Sequence, residues 1–331
     1  MRIAVLGTGR MGRLRAVALA RDPGVEEVVL AGGDPERARA AAQATGARAA
    51  TVENALAGGP DGVVVASATA DHLEQLEACA RLGAAVLCEK PIALSVAETR
   101  EAVEILREAG VPVQIGFQRR FDAGYREARR LVESGELGRL YVLRLAGHDP
   151  EPPHEAYIPA SGGIFNDFSV HDFDVTRYLT GQEIVEVYAD GDVLGFEMFA
   201  KYDDVDTAVA TLRLSEGTRA ILSCTRHDPL GYDIRTELFG SRDSVSVGLG
   251  PRTPMRSVEP GVPPPPGPTW KAFPERFADA YREELRAFLR VASGEEESAC
   301  TARDGLEAVR VAVAATRSMR EHRPVKLAEV E

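Results

Sequence analysis

The sequence predicts an α/β protein in two parts: an N-terminal doubly wound parallel sheet, then a C-terminal α+β domain on an open, mainly antiparallel sheet. Three observations point there. From Arg2 to Phe117 short apolar runs alternate with amphipathic helical spacings, the pattern of successive βα units. The first run passes directly into Gly7-Thr8-Gly9-Arg10-Met11-Gly12 and then into helical spacing. Beyond Leu140 the runs alternate apolar and polar residues and follow one another across short turns, as antiparallel strands do. At 331 residues the chain exceeds the roughly 250–300 at which a single core stops growing. Two domains are therefore expected, 1–118 binding a dinucleotide and 119–331 binding substrate and mediating oligomerisation.

A hydrophobic content of 44% and a charged content of 27% belong to a globular chain with ample core material. The formal charge of -12 argues against nucleic acid or an anionic membrane as a general partner. The four cysteines, Cys79, Cys88, Cys224 and Cys300, form no CxxC pair or Cys/His cluster, which suits reduced thiols in a cytoplasmic protein. The first apolar run is too short for a signal sequence, and no window reaches the length of a membrane span.

Taken in order, Arg2 to Leu6 reads as a strand, and Leu14, Val17, Ala18 and Leu19 continue helically after the glycines. In such a turn the first glycine permits the bend, the second admits a pyrophosphate to the backbone, and the third lets helix pack on strand. The N–H groups of the helix start face the phosphates. Gly7, Gly9, Arg10, Met11 and Gly12 are therefore candidate dinucleotide contacts. The second strand, Glu27 to Ala31, would end in an acidic residue roughly 20 positions past the glycine loop if the ribose were held as in a strict NAD enzyme. Gly32 and Gly33 stand there instead. Asp34-Pro35-Glu36-Arg37 reads as a helix start with Asp34 as N-cap. Arg37 is either a cation for a 2′-phosphate or a solvated helix charge, so NAD and NADP both stay open.

Strands follow over Ala47 to Thr51 and Gly62 to Ala66. The latter ends near Thr69 and His72, which either line the nicotinamide side or serve helix cap and core. Ala85 to Leu87 delivers Cys88-Glu89-Lys90-Pro91 to the same edge, where Lys90 could donate to a substrate hydroxyl or pair with Glu89. A helix from Val96 to Ala109 and a strand from Pro112 to Phe117 close the first domain.

Gln118-Arg119-Arg120-Phe121 leads into a helix, Gly124 to Ser134, and a strand, Leu140 to Ala146; either arginine faces the substrate or both are exposed. The loop from His148 to His154 either closes over a substrate or connects. From Gly162 to Leu179, Phe168, Val170, Phe173, Val175 and Leu179 mark a buried helix. Asp167 and His171, four residues apart, would share a helix face, where the carboxylate orients a proton-accepting imidazole or forms a plain salt bridge. Val185 to Val193, Thr207 to Leu214, Thr218 to Thr225, Ile234 to Phe239 and Ser244 to Val247 read as strands. A sheet covered on one face needs a partner, so a homo-oligomer is expected. Phe277, Tyr281, Leu285, Phe288 and Leu289 mark a long helix, and Leu306, Val309 and Val313 the last one.

GTGRMG, CEKP, GFQRRFD and SGGIFNDFSVHDFDVTRYL, in this order, resemble the Gfo/Idh/MocA oxidoreductases, most closely their inositol 2-dehydrogenase branch. The resemblance implies a nicotinamide nucleotide across Gly7 to Gly12 and Glu89, with Lys90, Asp167 and His171 as catalytic set. It further implies His171 as general base, Arg119, Tyr157 and Tyr232 as further substrate contacts, and no metal. Oxidation of a hydroxyl of myo-inositol or a related polyol or sugar by a cytoplasmic dimer or tetramer would be the activity. Two departures stand out: Gly32, where many relatives carry aspartate, and Asn166, where they often carry an apolar or basic residue. They leave the nucleotide and the polyol open. A nucleotide-responsive regulator on this scaffold is a further reading, which the retained catalytic residues disfavour.

Overall fold

A computed structural model describes residues 1–330. It divides the chain into two compact units, one formed by Met1–Gln118 and Tyr281–Val309, the other by Arg119–Ala280 and Arg310–Glu331. In the first unit strands β1 (Arg2–Leu6), β2 (Glu27–Ala31), β3 (Arg48–Ala50), β4 (Gly62–Val65), β5 (Ala85–Cys88) and β6 (Val113–Ile115) alternate with helices α1 (Arg10–Leu19), α2 (Pro35–Thr45), α3 (Val52–Ala57), α4 (His72–Leu82) and α5 (Val96–Ala109). The sheet order is β3-β2-β1-β4-β5-β6, parallel throughout. The winding reverses between β1 and β4, where such sheets receive ligands at their carboxyl ends. Strands β4 and β5 are buried at every residue, as their unbroken apolar runs require.

The division corrects the expected boundary in one respect. Tyr281–Val309, read as part of the second domain, belongs with the nucleotide unit. The cause is packing: Leu285, Phe288 and Leu289 join Ile3, Val5, Leu30 and Val64 in one core. The Phe288 ring lies so close to Gly62 that a Cβ there would stand 3.0 Å from it.

The second unit begins with α6 (Ala123–Glu133) and β7 (Leu140–His148), then α7 (Ile158–Ser161) and α8 (Val170–Thr180). Strands β8 (Ile184–Asp192), β9 (Thr207–Leu214), β10 (Arg219–Thr225), β11 (Asp233–Gly240) and β12 (Ser244–Val247) follow. Helices α9 (Phe273–Arg276), α10 (Ala278–Ala292) and α11 (Ala302–Glu321) and the short β13 (Val325–Lys326) end the chain. The sheet order is β12-β11-β7-β10-β9-β8-β13. It is antiparallel except for β7 beside β10, a parallel pair that sequence alternation does not reveal. Ala208, Ala210 and Leu212 of β9 and Ala220, Leu222 and Cys224 of β10 are buried. The opposite face carries a cross-strand row of Tyr188, Thr211, Ile221, Arg144 and Glu237.

Two glycines of the first turn are obligatory. Gly7 has φ +122°, and a Cβ on Gly12 would lie 1.8 Å from the Gly7 carbonyl oxygen. Gly12→Ala therefore has to push α1 off the sheet. A loss of about 2 kcal/mol or more is expected in denaturant unfolding, with saturable NAD binding lost as well. Wild-type values for both would contradict this account of the turn.

Candidate active site

In the first unit the candidate nucleotide contacts gather at the carboxyl edge of β1, β4 and β5. Helices α2 and α5 begin with side-chain caps from Asp34 and Ser95, whereas α1 begins at Gly9 with no side-chain cap and no acid in its first turn. A Cβ added to Gly9 would meet nothing within 4 Å. An uncapped helix start with open space before it suits a pyrophosphate, so these residues fit a dinucleotide. Arg10 and Arg37 are exposed and Met11 is half-buried. The carboxylate missing from Gly32 has a steric counterpart: a Cβ there would stand 2.8 Å from the Thr8 methyl. Asp34 accepts from the backbone N–H of Glu36 and Arg37 and so serves as the cap of α2.

Strand β5 ends at Cys88, and the carboxylate of Glu89 just beyond it accepts from Arg15 Nε at 2.8 Å. A second Arg15 nitrogen reaches Glu284 at 2.5 Å, and the guanidinium lies 4.9 Å from the Tyr281 ring centre. Arg15 and Glu284 are fully buried. Burial opposes the charge on Arg15, but Glu284 and Glu89 outweigh it and keep the side chain cationic. Burial pushes the Glu284 carboxyl up to about 7, with Arg15 opposing and Glu89 adding to the rise. Lys90, half-buried, follows Glu89 and enters a cis peptide bond with Pro91. Of the two readings of His72, nicotinamide side or core, the burial fits the core: it is only 1% exposed, and its Nδ1 lies 3.1 Å from the Pro91 carbonyl oxygen, so it braces this turn. Burial lowers its pKa, which keeps the ring neutral. Thr69 is half-buried in the 3₁₀ turn before α4.

In the second unit Gly162 and Gly163 take positive φ and separate α7 from the next turn. Asp204 accepts from the Ile164 backbone N–H at 3.0 Å. Phe165–Ser169 then forms a π-helical turn that leads into α8, where a regular α-helix was expected. Asp167 sits in that wider turn, so the simple four-residue α spacing to His171 does not describe it. Its Oδ1 accepts from the Tyr157 hydroxyl and its Oδ2 from Arg226, each at 2.9 Å. His171 lies half-buried in the first turn of α8.

Arg119 and Arg120 are neither exposed nor solvated. Arg119 pairs with Asp172, and Arg120 engages both oxygens of Asp174, at 2.6 Å for its closest contact. Burial raises the Asp172 pKa against the pull of Arg119. Arg119 is thus tied into α8. Tyr232 is buried edge-on to Phe277, ring centres 6.4 Å apart; burial raises its hydroxyl pKa against the pull of Arg119, so it stays a donor.

Sequence reasoning missed Arg15, Glu284 and Arg226. For Arg15 a signal existed, because it falls on the same helical stripe as the buried Gly12, Ala16 and Leu19. Arg226 is 59 residues from Asp167 and has no local motif.

A parallel sheet with an uncapped glycine turn at its switch point, and a second unit bearing a carboxylate and an imidazole on one helical stretch, define a nicotinamide-dependent oxidoreductase. The chain belongs to the Gfo/Idh/MocA family: residues 1–117 match its NAD-binding Rossmann-fold oxidoreductase domain and residues 125–246 its C-terminal domain. It is 39% identical to a myo-inositol dehydrogenase of Streptomyces leeuwenhoekii, over 96% of this chain and 97% of the relative. It is 37% identical to the myo-inositol 2-dehydrogenase of Thermotoga maritima, over 100% and 99%. The solved scyllo-inositol dehydrogenase of Lactobacillus casei with bound NAD(H) and scyllo-inositol superposes with a TM-score of 0.88 at 28% identity, over 99% of each chain.

The raised pKa of Glu284 has a consequence for stability. Between its ordinary value of 4.5 and about 7 the folded protein holds a proton that the unfolded chain releases. This contribution is complete below the lower value and is lost as pH rises through the upper one. Thermal midpoints between about pH 5 and pH 8 should therefore fall less in Glu284→Gln than in the wild type. Parallel curves would show that Glu284 does not titrate there.

Proposed function

We propose that this enzyme oxidises a secondary hydroxyl of myo-inositol, or of a closely related cyclic polyol, to a ketone. The observation that carries the reading is the presence of Lys90, Asp167 and His171 in a chain that aligns over nearly its whole length with several inositol dehydrogenases. The nicotinamide, when bound, supplies the hydride acceptor. Everything else falls to side chains. Lys90 donates a hydrogen bond to the reacting oxygen and stabilises negative charge as the proton leaves. His171 takes that proton, so one carbinol loses a hydride and a proton and becomes a carbonyl. Asp167 accepts from substrate hydroxyl and holds the ring in register for transfer. Buried Asn166 beside it favours polar discrimination among hydroxyl patterns, which keeps other sugars as the alternative substrate class.

Lys90→Met and His171→Ala should each lower kcat for NAD reduction by myo-inositol by about 10²–10⁴-fold, with circular dichroism unchanged. Wild-type turnover in both variants would refute the assignment. Activity on a polyol and aldose panel, but none on inositols, would move the substrate to the alternative class. Gly32 fixes no carboxylate at the ribose 2′ position, so NAD and NADP are to be titrated side by side.

The same reading places the enzyme in the cytoplasm, which suits four buried free cysteines, and makes it a homo-oligomer. On the open sheet face Tyr188, Val209 and Ile221 are 40%, 50% and 47% exposed, beside the Arg144–Glu237 ion pair. A second copy of this face, turned by a two-fold axis, covers apolar residues with apolar residues and offers each charge an opposite one. Ile221→Glu should shift light-scattering mass from dimer or tetramer to smaller species. A monomeric wild type would end this part of the proposal.

A further inference from the structure

Arg226 is where the second unit departs furthest from an Asp/His couple acting alone. It follows β10 directly, its backbone N–H donates to the Asp206 carbonyl at 2.8 Å, and its side chain is 3% exposed beneath Phe168, 5.6 Å from that ring centre. One terminal nitrogen meets Asp167 at 2.9 Å and lies 3.7 Å from Asp149. Asp204 also faces it, close enough to stabilise its charge, while holding the Ile164 N–H that starts the π turn. From the other side the hydroxyl of Tyr157, a residue 47% exposed, reaches the remaining oxygen of Asp167. These two side chains thus reach opposite oxygens of Asp167, from places distant in sequence.

We infer that Arg226 and Tyr157 form a two-armed clamp that fixes the Asp167 carboxylate in one orientation as a hydroxyl acceptor. A carboxylate oxygen has more than one lone-pair direction, so accepting from one arm does not exhaust it. The π turn matters here, because it sets the carboxylate between the arms. Arg226 and Tyr157 are positioning residues, and Tyr157, expected as a substrate contact, acts through Asp167. The inference rests on Asp167 being part of the catalytic set proposed above.

The test compares Tyr157→Phe, Arg226→Lys, Arg226→Met and Asp167→Asn, singly and with Tyr157→Phe added to Asp167→Asn. Initial rates are measured with myo-inositol and NAD, and crystal structures are determined for the Tyr157→Phe, Arg226→Lys double variant and the wild type. Tyr157→Phe should lower kcat/KM roughly tenfold at unchanged thermal midpoint, and Arg226→Met roughly 100-fold, with partial recovery in Arg226→Lys. In the Asp167→Asn background the Tyr157→Phe effect should vanish, because the tyrosine has lost the group it works through. The double variant should show the Asp167 side chain in a new or split rotamer. An Asp167 unmoved in that crystal structure overturns the clamp whatever the rates are. Full Tyr157→Phe effect in the Asp167→Asn background also overturns it. Wild-type rates in Asp167→Asn would instead overturn the catalytic reading. Should Arg226→Met fail to fold, the lysine and phenylalanine variants decide the matter alone.

Discussion

One buried cation organises the nucleotide unit. Arg15 stands on the helix that opens with the glycine turn, and it gathers Glu89 from the end of β5 and Glu284 from α10. Burying a guanidinium is tolerable only with such partners, since an unpaired charge in a dry interior is far costlier than the pairing is favourable. Because one partner immediately precedes Lys90, the ion pair that seats the dinucleotide helix also sets the strand end that carries the lysine. His72 supports the same turn from below through the Pro91 carbonyl. Neither residue needs to touch a reacting atom to matter for chemistry.

The second unit repeats the theme on one stretch of chain. Asp167, Asp172 and Asp174 each meet an arginine of their own, Arg226, Arg119 and Arg120. Two of the three pairs are shut away and hold the Gln118–Phe121 turn against α8. The third, around Asp167, is half-buried, as is His171 a helical turn later.

What the sequence disclosed was mostly local. The glycine turn, the Asp34 cap, the alternation of β9 and β10 and the buried stripe of α8 all express themselves within a dozen residues, so periodicity and turn chemistry reach them. What stayed hidden depends on partners far along the chain. The parallel neighbours β7 and β10 are joined by no local signal, and the return of Tyr281–Val309 to the first unit is written only in which core its apolar face fills. The π turn escaped because its apolar spacing differs from an α-helix by a single residue. By sequence alone Arg119 and Arg120 suit the surface or a substrate-facing place, because arginine is usually found there. Aspartates more than 50 positions away decide otherwise.

Phe288 and its neighbours complete the nucleotide core from a segment that follows nearly the whole of the other unit in sequence. On a ribosome, the glycine turn is made long before that late segment, yet its sheet cannot close its hydrophobic layer until the segment emerges. The early strands must wait, partly open, while the rest is synthesised. Neither unit corresponds to one uninterrupted piece of gene, so exchanging substrate domains between relatives by simple fusion at residue 118 would strip the donor of part of its own interior.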